Sequence, residues 1–150
     1  MKPLAAMLCA CLISCTASKT IQQQSSCLVK QSLSGYTRIS NTDYLIETKQ
    51  LGRTYLNFVI DSCRRISNTE VNMLGYVSFS DVSIGHERKM PDADIIQATQ
   101  TDRKSVKYSR YLGKTDQSGK FNIRVDVQKK EVYLLLDKQN FTYTSVQLTF

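Results

Sequence analysis

Leu112-Gly113-Lys114-Thr115-Asp116-Gln117-Ser118-Gly119-Lys120-Phe121-Asn122-Ile123-Arg124-Val125-Asp126-Val127 decides how this chain folds. Thr115 to Gly119 has turn chemistry. An aspartate accepts bonds from backbone amides two or three residues on, and glycine enters positive φ without a Cβ clash. Asp116 and Gly119 are therefore the expected structural turn residues. A strict alternation follows. Phe121, Ile123, Val125 and Val127 fall on one face, and Asn122, Arg124, Asp126 and Gln128 on the other. A period of two with one apolar face predicts a strand between a core and water.

Outside this stretch the composition points the same way. Hydrophobic residues make up 41% of the 150, with only two prolines and six glycines. Val, Ile, Thr, Tyr and Phe recur in short runs, which favours strands over helices. The length suits one domain plus a leader. The formal charge of +7 is compatible with anionic surfaces but selects no one partner.

The N-terminus is an address. Met1-Lys2-Pro3 precedes an apolar run from Leu4 to Ile13. This reads as an export signal, since spanning a bilayer takes about 20 apolar residues. The run closes on Leu12-Ile13-Ser14-Cys15, which resembles the lipobox of bacterial lipoproteins. Leu8-Cys9-Ala10-Cys11 is a second candidate but leaves a shorter apolar run. The resemblance implies a signal peptide over residues 1–14, with cleavage before Cys15. It also implies diacylglycerol and palmitate-type acylation at Cys15, against the alternative of an ordinary secretory signal. A short leader with one basic residue is similar to those of Gram-negative Bacteroidota-type lipoproteins. The implied location is the bacterial cell envelope, lipid-anchored in the outer membrane. Each buried CH₂ contributes about 0.8 kcal/mol, so several acyl chains hold firmly. Residues 15–27 then form a lipidated cysteine and a polar tether reaching about 20 Å. Of five cysteines, such cleavage leaves Cys15, Cys27 and Cys63. With Cys15 lipidated, Cys27 and Cys63 are the natural disulfide of an oxidising compartment, the alternative being two buried thiols.

Residues 28–70 contain N-terminal strands of uncertain role. Tyr44-Leu45-Ile46 and Tyr55 to Asp61 read as strands, with Gln50 to Arg53 as a turn between them, so a hairpin on the main sheet is expected. Further on, Tyr76 to Phe79, Asp81 to Ile84, Ile95-Ile96, Val132 to Leu136, Phe141 to Tyr143 and Val146 to Phe150 read as strands. Gly85 to Lys89 reads as a polar loop, and residues 99–112 as a long basic one. Short strands at this spacing suggest a β-sandwich.

The order Gly75-Tyr76-Val77, Met90-Pro91-Asp92-Ala93-Asp94-Ile95, Thr115-Asp116-Gln117-Ser118-Gly119-Lys120-Phe121-Asn122-Ile123, Val132-Tyr133-Leu134, Asn140-Phe141 and Val146-Gln147-Leu148 resembles the carboxypeptidase regulatory-like domain. The resemblance covers residues 71–150. It implies an all-β, Ig-like or transthyretin-like seven-strand β-sandwich, here with an extra N-terminal β-hairpin. Asp92 and Asn140 stand where that family usually has Gly. The resemblance also implies packing or contacts rather than chemistry.

Candidate chemistry is sparse. His86 is the one histidine, in a polar stretch, and no elbow motif or second group points to it. Asp92 and Asp94 alternate as paired acids do, but strand-edge carboxylates are the simpler account. Asp116 to Gly119 lacks the further oxygens and closing Glu of a calcium loop. No catalytic residue, metal ligand or cofactor is expected. Arg103, Lys104, Lys107, Arg110 and Lys114 interleave with Tyr108 and Tyr111. Six of these (Arg103, Lys104, Lys107, Tyr108, Arg110 and Tyr111) form the candidate anionic-ligand patch, against the alternative of a solvated loop. An export signal argues against nucleic acid. The expected function is a membrane-anchored envelope lipoprotein, a non-catalytic binding or scaffolding module with an envelope protein or glycan as partner. The alternatives are a carbohydrate-binding module for anionic or surface glycans, and a small hydrolase with an unrecognised site.

Overall fold

Every regular element described in the computed structural model is a strand; the described residues are 27–47, 54–81, 85–138 and 144–150. The leader, Cys15, the tether to Ser26, the Gln50 to Arg53 turn, Val82 to Ile84, and the Asn140 to Tyr143 stretch lie outside them. The strands are β1 Lys30–Arg38, β2 Asp43–Glu47, β3 Thr54–Arg65, β4 Glu70–Asp81, β5 Glu87–Lys89, β6 Asp94–Gln100, β7 Ser105–Lys114, β8 Lys120–Asp126, β9 Glu131–Asp137 and β10 Thr144–Thr149.

They form two antiparallel sheets, consistent with a β-sandwich. In one, β1, β10, β9, β6, β7 and β2 pair in that order and close on themselves as a barrel. In the other, β3 lines one edge of the long β4, while β5 and β8 share its other edge end to end.

The predicted strand after the Asp116 turn is β8. Its inward residues Phe121, Ile123 and Val125, with Val127 just beyond it, are buried, while Asn122 and Arg124 are exposed. They meet Val71, Met73 and Val77 of β4 and Phe58 of β3, whose ring stacks on Phe121 at 4.7 Å. The barrel supplies the facing layer with Ile95, Val132, Leu134, Leu136, Val146 and Leu148. The other parity of β6 and β9 points into the barrel, where Ala98, Tyr133 and Leu135 join Tyr36, Tyr44 and Val106 in a second core. This is why β9 reads Val132-Tyr133-Leu134-Leu135-Leu136 without alternation: apolar residues are wanted on both faces.

Three expectations need correction. The strands at Tyr44 and Tyr55 do not form a hairpin. Five-residue β2 bridges β1 and β7, whereas β3 pairs along β4, where a twelve-residue ladder satisfies far more of its backbone. The basic stretch 99–112 is not a long loop either. Thr101 to Lys104 is a tight turn, and β7 carries the rest. Register shifts at Ile95/Ile96 and Gln97/Ala98 break the alternation that would have marked β7 as a strand. Likewise Glu87 to Lys89, expected as loop, is the short β5.

The sheets are joined by polar contacts as well as by the core. The Gln97 side-chain amide donates to the Asp126 carbonyl at 2.8 Å, and its oxygen accepts the Asp126 amide at 3.1 Å. Arg110 donates to the same Gln97 oxygen, to Glu70 at 3.2 Å and to the Arg124 carbonyl at 3.0 Å.

Cys27 and Cys63 form a disulfide across 36 residues, and the Cys27 amide donates to the Cys63 carbonyl. The bridge fastens the start of the described chain to the far end of β3. Its loop-closure effect corresponds to about 4 kcal/mol. A Cys27→Ser, Cys63→Ser variant is expected to lose about that much in urea unfolding, with its midpoint matching that of the reduced wild type.

Candidate functional site

The turn residues Asp116 and Gly119 build a scaffold. The Asp116 carboxylate accepts the amides of Ser118 at 2.8 Å and Lys120 at 2.9 Å. These bonds, the one to the Lys120 amide foremost, hold its carboxyl below the ordinary 3.8. Gly119 has φ +74, and a Cβ there would lie 2.6 Å from the Val77 carbonyl. A depressed carboxylate stabilises fully above its unfolded pKa and loses that contribution as pH falls through the folded one. Asp116→Asn, which keeps the acceptor but drops the charge, should therefore be less stable than wild type at neutral pH. The gap should close as pH falls below the ordinary carboxylate range, as measured by thermal unfolding from neutral to acid pH.

Asp92 fills the position beside this turn with φ 56, a left-handed conformation. Its amide donates to the Thr115 carbonyl. Aspartate enters that region more easily than most residues.

The six residues of the basic patch do not share one face. Arg110 turns to the sandwich side and is engaged by Gln97, Glu70 and the Arg124 carbonyl. The Tyr111 hydroxyl donates to Asp94, which also pairs with Lys114 at 3.5 Å, so Asp94 is no member of an acid pair with Asp92. Lys107 lies opposite Asp43 on β2, and the exposed Tyr108 donates its amide to the Thr42 carbonyl. His86 is exposed beside β5.

Arg103 and Lys104 stand apart. They occupy the tip of the β6–β7 turn, held out by Asp102, whose carboxylate accepts the Lys104 and Ser105 amides at 2.9 and 2.8 Å. Those bonds also keep the Asp102 carboxyl below its ordinary range. The tip overhangs the barrel. Inside, the rings of Tyr36 and Tyr44 meet edge to face at 5.6 Å, and the Tyr36 hydroxyl donates to the Leu136 carbonyl. Beyond them the filling changes character. Ser34, Gln100, Ser145 and Gln147 line a cavity of about 140 Å³, floored by Ile46, Val106 and Tyr133, with Arg103 and Lys104 at its rim. Burial, with Glu131 nearby, pushes the Tyr133 hydroxyl above the ordinary tyrosine value, so it stays protonated. A wider and more open groove of about 810 Å³ follows the disulfide and the irregularity in β3.

Arg103 and Lys104 were readable from sequence as part of a basic cluster. The four polar lining residues were not, because they come from β1, β6 and β10, which lie far apart in the sequence. The one signal available was on β10, where Ser145 and Gln147 alternate with the core residues Val146 and Leu148.

No family model, curated protein or solved structure matches this chain.

Proposed function

We propose that the chain is a lipid-anchored protein of the bacterial cell envelope whose all-β domain is a non-catalytic binding or scaffolding module. The Cys27–Cys63 disulfide carries this reading. Such bridges persist in oxidising compartments outside the cytosol. It also lies where a tether beginning at Cys15 would enter the domain. A pull from the membrane would reach a covalent staple on β3 before it reached the ladder of β1. The finer fold within this reading is the seven-strand carboxypeptidase regulatory-like sandwich. Seven strands, β4 to β10, fall within residues 70–149, which supports it. So does the left-handed Asp92.

The test is the intact mass of the full chain extracted from the membranes of a lipoprotein-processing bacterium, with and without reductant. The expected mass starts at Cys15, carries acyl chains, and gains two hydrogen atoms on reduction. A mass with no lipid would replace the anchored module with a freely diffusing secreted one.

A further inference from the structure

We propose that the polar half of the barrel lumen is a subsite for a compact oxyanion, the carboxylate or phosphate borne on the end of an acidic sugar chain. This deepens the binding-module reading and rests on it. The first observation is the filling of the barrel. One half is packed with tyrosine and leucine. The other presents Ser34, Ser145, Gln100 and Gln147 to a cavity where apolar side chains would stabilise the fold more. The Ser145 hydroxyl donates to the Ser34 carbonyl and leaves its lone pairs to the cavity, and the two glutamines add donors and acceptors.

The second observation is charge. Arg103 and Lys104 flank the entrance. Ion pairs among the described residues are Lys89–Glu87, Arg110–Glu70 and Lys114–Asp94, so both rim cations remain available to a ligand. An arginine fork suits an oxyanion held by two oxygens, and lysine adds a compact charge beside it. The third is size. At about 140 Å³ the cavity holds the volume of some four or five waters. Whole-ligand sites run to about 300–1,000 Å³, so this one takes an end group while the rest of the molecule lies outside.

The test is calorimetric titration of the full chain with sodium glucuronate, with inorganic phosphate, and with glucose as the uncharged control. Saturable binding of glucuronate or phosphate and none of glucose is expected. Glucuronate without phosphate assigns the site to a uronic acid end, and phosphate without glucuronate to a phosphorylated one. Arg103→Ala with Lys104→Ala should weaken binding about tenfold or more. Gln147→Leu, which leaves the rim charges in place, should weaken it comparably. Lys120→Ala with Arg124→Ala, on the other sheet, should change nothing. The melting temperature of each variant establishes that it is folded. Absence of binding by both anions overturns the proposal, as does binding that survives loss of Arg103 and Lys104. Binding lost equally on removing Lys120 and Arg124 also overturns it, since that would be diffuse attraction to a cationic protein. A lipid on Cys15 with no oxyanion bound would keep the anchor and remove this subsite; the converse would do the reverse.

Discussion

Gly75→Ala is expected to destabilise the protein by about 5 kcal/mol, a large part of what a domain of this size commands. Gly75 is buried on the inner face of β4 opposite Ile60. A Cβ there would lie 1.9 Å from the Val59 carbonyl oxygen and 2.8 Å from Cζ of Phe121. The phenyl ring could swing away at the expense of its stacking on Phe58. The carbonyl could not, because it belongs to the backbone of β3 where the ladder shifts register between Ile60 and Ser62. Small additions to a packed interior cost about 1–3 kcal/mol when side chains yield, and more when a strand has to move. Urea denaturation is the measurement. Adding Phe121→Leu to Gly75→Ala should restore little, since the carbonyl dominates. A Gly75→Ala midpoint near that of wild type would show that β3 withdraws freely and that this account of the glycine is mistaken.

Thr115→Val is the second, at about 4 kcal/mol. The Thr115 side chain is buried at 2% exposure. Its hydroxyl donates to the Met90 carbonyl at 2.6 Å and accepts the Ala93 amide at 2.9 Å. Its own amide donates to the Ala93 carbonyl at 3.0 Å. One threonine thus clamps the turn between β5 and β6 to the turn between β7 and β8. Valine keeps the shape and removes both hydroxyl bonds. Each buried backbone group left unpaired costs about 1–3 kcal/mol. Thr115→Ser keeps the hydroxyl and loses one methyl, for about 1 kcal/mol. The prediction is the order, with serine far milder than valine at an unchanged denaturant slope. The reverse order would mean that the methyl packing, not the clamp, is what matters.

The clamp also explains something that alternation alone did not. The turn from Thr115 to Gly119 and the strand behind it were legible, because turn chemistry and period-two burial are local properties of adjacent residues. The role of Thr115 depends on Met90 and Ala93, more than twenty residues earlier, and no local pattern records them. Residues 28–70 show the same limit. In β1 only Gly35 and Tyr36 are buried, so its sequence carries almost no apolar signal. What places it is backbone pairing with β10 and β2. For β7 the signal existed but was scrambled by two shifts of register. For the candidate site, the two rim cations could be picked out as a cluster. Arg110 and Tyr111 in the same run could not be separated from them, since their partners Gln97, Glu70 and Asp94 come from other strands.

By itself, then, the amino-acid sequence determined an all-β chain, the turn at Asp116 and the inward face of β8, because side-chain burial along one strand repeats with the backbone's own period. It also singled out Cys27 and Cys63 as a pair. Tertiary structure alone decided that β2 would bridge β1 and β7 and so close six strands around a lumen. Those contacts are hydrogen bonds between backbone groups, so the choice of β1 and β7 as partners is not written in the side chains of β2, although Tyr44 and Val106 are buried in the core that the closure encloses. In the polar half of the lumen, Ser34, Ser145 and Gln147 stand side by side on the paired β1 and β10, and the barrel brings Gln100 of β6 and the Arg103–Lys104 turn to face them.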